Sequence, residues 1–194
     1  MTTQALLLAA GTGTRFGGDK LVAPLSDGTP LVLATARALL AAGCEVLAVA
    51  RDGSDAARLL APLPGVRVVV CADSALGMGH SLAAGVRASP GAPGWLVALG
   101  DMPFIRPQTI AAVAGALRHR GSLVAPSRSG RRGHPVGFGR AWRSELLALS
   151  GDAGARDLLD RHREGMTLIE TDDPGIHRDL DRPDDPGWGP VGPW

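Results

Sequence analysis

Of the twenty Lys and Arg residues in this chain, only one, Lys20, is a lysine. It closes the segment Leu8-Ala9-Ala10-Gly11-Thr12-Gly13-Thr14-Arg15-Phe16-Gly17-Gly18-Asp19-Lys20, which continues a short apolar run. Lysine is a compact point charge on a flexible stem, whereas arginine is a rigid planar fork. A lysine kept against so strong an arginine bias fits a site that needs the first geometry. Gly11 and Gly13 have no Cβ, so peptide N–H groups there can close on an anion. Arg15 and Lys20 would then neutralise phosphate charge. Two familiar phosphate loops are excluded by spacing. Phe16 stands where the dinucleotide fingerprint requires glycine, and Leu21 follows Lys20 where a Walker loop requires Ser or Thr.

Carboxylates supply the complementary chemistry. Leu99-Gly100-Asp101-Met102-Pro103 puts an acid directly after an apolar run. Asp101 suits Mg²⁺, a hard cation that takes one or two carboxylates together with substrate phosphates; a turn cap is the other use of such a residue. Asp179-Leu180-Asp181 places two acids on one side of an extended segment. Either could complete the metal site, with Asp181 slightly favoured over Asp179. Gly77-Met78-Gly79-His80-Ser81-Leu82 combines close-approach glycines with a helix start, and Ser81 could cap locally or bind a base. Further on, Arg131–Phe138 reads as a loop and short strand and carries Arg132-Gly133-His134-Pro135-Val136. Gly151-Asp152-Ala153-Gly154-Ala155-Arg156 combines a turn, a capping aspartate and an arginine suited to a phosphate.

The elements that must position these groups alternate between short apolar runs and amphipathic stretches, the pattern of an α/β fold with a mainly parallel sheet. Strands are expected over Ala5–Leu8, Glu45–Ala50, Val66–Val70, Trp95–Leu99, Leu123–Ala125 and Thr167–Glu170. The unbroken character of Val66–Val70 suggests burial on both faces. Helices are expected from Pro30 to about Ala42 with Gly43 as the stop, after Ser54, over His80–Ala88, Pro107–Arg118, Trp142–Leu149 and Ala153–His162. Gly11, Asp73 and Asp101 each follow a strand, and open parallel sheets bind ligands beyond the carboxyl ends of their strands.

Composition sets the outer limits. A length of 194 residues suits one domain, expected over residues 1–185, with 186–194 as a flexible tail. A net charge of +1, with tyrosine absent and few aromatics, argues against nucleic acid as a partner. Two cysteines without metal-ligand spacing suggest a reducing, cytoplasmic setting. No apolar run is long enough to span a membrane, and none forms a leader.

The segment Leu-Ala-Ala-Gly-x-Gly-x-Arg-x-Gly-x-x-Lys resembles the signature of nucleotidyltransferases with a three-layer α/β/α Rossmann-like fold. Gly-Met-Gly-x-Ser-Leu, Gly-His-Pro-Val, Gly-Asp-x-Gly-Ala-Arg and the Asp179–Asp185 ending are similar to segments of molybdenum cofactor cytidylyltransferases and molybdopterin-guanine-dinucleotide-synthase-like enzymes. The resemblance implies catalytic roles for Arg15, Lys20 and Asp101. It implies nucleotide contacts from Leu8, Ala9, Ala10, Gly11, Gly13, Gly77, Gly79 and Ser81, and acceptor contacts from His134, Pro135, Asp152 and Arg156. Mg²⁺ would sit on Asp101 and Asp181. The reaction implied is transfer of CMP from CTP to the molybdenum-molybdopterin cofactor with release of pyrophosphate. A molybdoenzyme or its maturation chaperone would be the downstream partner. The competing expectations are a GTP-using enzyme, a transferase for another small phosphate, and a non-catalytic carrier of the finished cofactor. Arg182 departs from the family ending, where a small residue is usual.

Overall fold

Neighbouring residues on a strand point to opposite faces, so the run Leu6-Leu7-Leu8 demands apolar packing on both sides. The computed structural model, which describes residues 3–11, 19–182 and 184–188, supplies it. Ala5, Leu7 and Ala9 of strand β1 (Gln4–Ala9) enter one core, and Leu6 and Leu8 enter a second core on the other face. β1 is therefore interior, paired in parallel with β2 (Glu45–Ala50) and β4 (Gly94–Leu99). β3 (Val66–Val70) adds in parallel outside β2. With β5 (Leu123–Arg128), β6 (Arg131–Arg132), β7 (Val136–Gly139) and β8 (Thr167–Glu170), the sheet order is β3-β2-β1-β4-β7-β5-β6, with β8 on β5.

Helices cover both faces and give the expected three layers. Leu31, Val32, Ala36 and Leu39 of α1 (Leu31–Ala41), Ala56 and Leu60 of α2 (Asp55–Leu60), and Ile110 and Val113 of α4 (Pro107–Gly115) fill the first core. Leu82 and Val86 of α3 (Met78–Ala88), Leu146 of α5 (Arg143–Leu147), and Leu158 and Leu159 of α6 (Arg156–Arg161) fill the second. Each leucine buried this completely stabilises the fold by roughly 1.5–3 kcal/mol. Gly43 ends α1 at a φ of +79°, a left-handed conformation that favours glycine. The Ser54 hydroxyl accepts from the Ala57 N–H and so caps α2.

Two expectations change. Val66–Val70 is not buried on both faces: β3 is an edge strand paired only with β2, Arg67 is exposed and Val70 is 50% exposed. A β-branched run reports preference for strand backbone, and it does so at an edge as well as in a centre. In the second half, β7 runs antiparallel to both β4 and β5, and β5–β6 forms an antiparallel hairpin. The helices expected over Trp142–Leu149 and Ala153–His162 are shorter, at Arg143–Leu147 and Arg156–Arg161. No helix among the described residues is long and apolar enough to cross a membrane. In the segment from 186, Trp188 bridges to Leu25 and its indole N–H donates to the Arg182 carbonyl at 2.7 Å; residues 189–194 lie outside the described residues.

Candidate active site

The four parallel strands deliver their carboxyl ends to one edge. At the end of β4, the Gly100 N–H donates to the Leu8 carbonyl at 2.9 Å, and a Cβ on Gly100 would stand 2.9 Å from that same oxygen. Only glycine lets the two chains approach so closely there. The Thr35 hydroxyl, buried on α1, donates to the Gly100 carbonyl at 3.1 Å. Asp101 thus leaves the sheet from a fixed backbone. Lys20 starts a single 3-10 turn, Lys20–Val22, capped by the Asp19 carboxylate, which accepts from the Leu21 N–H at 3.3 Å. Buried Leu21 anchors that turn in the core. The third contributor is the extended segment Asp179-Leu180-Asp181. Leu180 is fully buried and its N–H donates to the Asp101 carbonyl at 3.0 Å, so the flanking aspartates face the site. The Asp185 carboxylate holds the far side of this segment by accepting from the Asp181 and Arg182 N–H groups at 2.7 and 2.8 Å.

These three pieces meet. The Lys20 ammonium donates to Asp101 Oδ2 at 2.8 Å and also to Asp181 Oδ1. Burial works against the Lys20 charge, but the Asp101 carboxylate and the hydrogen bonds to both aspartates outweigh it and hold the amine above its usual range. Carboxylate oxygens of Asp101, Asp179 and Asp181 all lie within 4.8 Å of one another. Partial burial, reinforced by the charges of Asp181 and Asp101, raises the Asp179 carboxyl. One oxygen of the group, Asp101 Oδ1, is buried with no hydrogen-bond partner. A buried anionic oxygen left unpaired beside two further carboxylates is the donor set that a hard divalent cation takes. The residues present therefore fit such an ion.

A cavity of about 300 Å³ opens beside Lys20 and Asp101. Its lining brings Leu8, Ala10 and Gly11 together with Gly77, Met78, Ser81 and Asp152. Gly77 and Gly79 are glycine for an additional reason. The N-terminus of α3 docks on the 150–152 loop: a Cβ on Gly77 would lie 2.3 Å from the Gly151 carbonyl carbon, and one on Gly79 would lie 2.7 Å from Ser150 backbone. The Gly79 N–H donates to the Gly151 carbonyl at 2.8 Å, and His80 Nδ1 accepts from the Gly151 N–H at 3.3 Å. His80 thus acts as a helix-end fastening, as its position suggests. A second cavity of about 220 Å³ adjoins the first and shares Leu8, Met78, Leu99 and Asp152 with it. Its lining includes Arg132, His134 and Arg156.

The structure therefore gathers Lys20, Asp101, Asp181, Leu8, Ala10, Gly11, Gly77 and Ser81 around one site, with His134, Asp152 and Arg156 next door. Ala9 points into the core, Gly79 packs on Ser150, and Pro135 is buried without lining either cavity. Arg15 and Gly13 lie outside the described residues. Sequence reading passed over Ser74, Ala75 and Met78 as cavity residues and Arg132 as a lining cation. The first three carry no chemistry that would mark them. Arg132 was visible as the neighbour of Gly133-His134. A separate concavity of about 870 Å³, lined by Thr3, Cys44, Gly94 and Arg118, sits at the amino ends of the strands, away from these groups.

Residues 5–166 match the family described as the MobA-like NTP transferase domain. Nicotine blue oxidoreductase of Paenarthrobacter nicotinovorans is 36% identical over 188 residues, 91% of this chain and 90% of that protein. A nucleotidyl transferase from Methanothermobacter thermautotroptrophicus superposes with a TM-score of 0.78 at 26% identity, over 93% of this chain and 92% of that one. Rv0371C of Mycobacterium tuberculosis H37Rv in complex with manganese superposes with a TM-score of 0.68 at 28% identity, over 88% of each chain.

Proposed function

This chain belongs to the MobA-like NTP transferase domain family and is a nucleotidyltransferase, and from that premise we propose that it transfers CMP from CTP to a molybdopterin-type phosphate, with Mg²⁺ as the metal. The observation that carries this reading is the direct pairing of Lys20 with Asp101 at the mouth of a cavity walled by Ala10 and Gly11. An ammonium, a carboxylate cluster and close-approach backbone suit the polyphosphate of an incoming nucleotide. The preference for CTP rests on the Leu8-Ala9-Ala10-Gly11 and Gly77–Leu82 resemblances, and the acceptor class on those around His134 and Asp152. The manganese complex of the Mycobacterium tuberculosis relative supports a divalent ion.

In this reading a phosphate oxygen of the acceptor attacks the α-phosphorus of CTP. The bond from that phosphorus to the bridging oxygen breaks, and pyrophosphate leaves. A phosphate monoester is already anionic near neutral pH, so no strong general base is required. Asp101 and Asp181, with Asp179 beside them, would hold Mg²⁺, which when bound neutralises phosphate charge. Lys20 exchanges its aspartate partners for phosphate oxygens and stabilises the departing pyrophosphate, joined by Arg15 from the loop. Gly11 and Ala10 orient the nucleotide through backbone groups, and Ser81 faces the base. Alignment and charge neutralisation supply the catalysis. Buried free thiols at Cys44 and Cys71 accord with a cytoplasmic setting.

The test is pyrophosphate release by the purified chain with CTP or GTP, Mg²⁺ and a molybdopterin phosphate. Release with CTP well above GTP is expected. Faster release with GTP would reassign the base. Redox turnover of a dye without any pyrophosphate release would move the chain to an oxidoreductase chemistry, as the name of the Paenarthrobacter relative has it.

A further inference from the structure

We propose that Arg132 and Arg156 form a two-guanidinium clamp for a second oxyanion of the phosphate acceptor, at the end of that molecule remote from the reacting phosphate. This rests on the transferase reading above and names what else the acceptor must carry.

The two arginines come from different elements and line the same cavity of about 220 Å³. Arg132 closes the β5–β6 hairpin in register with Ser127, and Arg156 opens α6, which is pinned by buried Leu158 and Leu159. Neither guanidinium has an ion-pair or side-chain hydrogen-bond partner among the described residues. Other described cations pair with acids: Lys20 with Asp101, Arg51 with Asp19 and Arg106 with Asp172. Arg132 and Arg156 are both exposed, and two guanidinium forks lining one small cavity suit the bidentate recognition of a tetrahedral oxyanion.

A second observation points to a ligand in the same space. His134 lines this cavity, and its Nδ1 is buried with no partner. The backbone around it cannot relax to supply one. The Gly133 N–H donates to the Pro126 carbonyl at 2.8 Å, the His134 N–H donates to the Ile176 carbonyl at 3.0 Å, and a Cβ on Gly133 would stand 2.5 Å from that oxygen. A buried polar atom held in place without a partner is satisfied when something enters. The remaining wall is apolar, from Leu82, Val97, Val136 and Phe138. Asp152, the one acid in the lining, also lines the nucleotide cavity and makes no ion pair with either arginine. The ligand so described has a largely apolar body, one hydrogen-bonding atom for His134 and an oxyanion for the arginines. An acceptor bearing a phosphate monoester alone, such as a simple sugar phosphate, leaves the clamp unfilled.

Isothermal titration of the full chain with molybdate, a bare tetrahedral oxyanion, tests this without depending on turnover. One equivalent should bind, and Arg132→Gln and Arg156→Gln should each weaken it roughly tenfold or more, the size of one charge-assisted contact. Lys20→Met should leave molybdate binding within about twofold. Pyrophosphate, the second probe, should respond in the opposite way, weakened by Lys20→Met and spared by Arg132→Gln. The proposal is overturned if molybdate follows Lys20 and ignores Arg132, or if it does not bind at about 10 mM, a concentration that would register even a millimolar site. Failure of pyrophosphate release from CTP and GTP would defeat the transferase reading while leaving the molybdate result to decide the clamp.

Discussion

The backbone N–H of Leu180 donates to the carbonyl of Asp101 at 3.0 Å, across nearly eighty residues of sequence. That bond sets the register between the end of β4 and the acidic segment, so Asp179 and Asp181 meet Asp101 within 4.8 Å. Leu180 itself is fully buried in the first core. Leu180→Ala should therefore cost about 2–5 kcal/mol in urea denaturation and should also weaken Mn²⁺ binding. Leu180→Met, which keeps the volume, should cost less than about 1.5 kcal/mol and spare the metal. Equal Mn²⁺ affinity in both variants would disconnect the anchor from the site.

Lys20 plays two opposed parts. In turnover, Lys20→Ala should remove about 2–4 kcal/mol of transition-state stabilisation, as loss of one oxyanion donor does, with circular dichroism unchanged. Without nucleotide, the same substitution frees Asp101 and Asp181 from their shared ammonium, so calorimetry should show Mn²⁺ binding more tightly than in the wild type. Wild-type turnover, or weaker Mn²⁺ binding, would remove Lys20 from this role.

Asp179 is raised by partial burial and by the neighbouring charges of Asp181 and Asp101. A carboxyl whose folded pKa exceeds its unfolded value costs stability at neutral pH, and that cost fades as pH falls and the group protonates in both states. Asp179→Asn should raise the metal-free Tm at pH 7, and the gain should vanish in acid. Asp101→Asn, by contrast, should shift the Mg²⁺ dependence of turnover to higher concentration. An unchanged Mg²⁺ titration would exclude Asp101 as a ligand.

His134 is held down to about 4, chiefly by burial and then by the Arg132 charge, against partial opposition from Asp101. The unfolded chain binds this proton more readily, so stability rises with pH between about 4 and the ordinary histidine value near 6.5. Acidification through that window should cost on the order of 2–3 kcal/mol from this group. His134→Gln should flatten the slope of stability against pH there; an unaltered slope would place the acid sensitivity elsewhere.

Much of this site was legible because parallel strands send their carboxyl ends to one edge, so Gly11 and Asp101 had to converge once β1 and β4 were recognised. The pairing of Asp179 with Asp181 followed from alternation around an apolar Leu180. Other parts left no local signal. Asp173 lies in a stretch rich in Asp, Pro and Gly that reads as loose chain, yet it is fully buried. Its carboxylate accepts from the Arg106 N–H at 2.8 Å, the Thr109 hydroxyl at 2.7 Å and the Gly175 N–H at 2.8 Å. Those donors are distant in sequence or ordinary in type. Nor could the pattern of Val136-Gly137-Phe138-Gly139 reveal its direction, since alternation is the same read either way.

The reversal of β7 is what brings its opening residues, with His134 just ahead of them, to the edge where β1 and β4 finish. One half of the binding groove is built from strand exits and the other from a strand entrance, and the two meet along the β4–β7 seam. Substitutions in the 128–134 hairpin can therefore retune which phosphate is welcomed while the machinery that grips the nucleotide keeps its register.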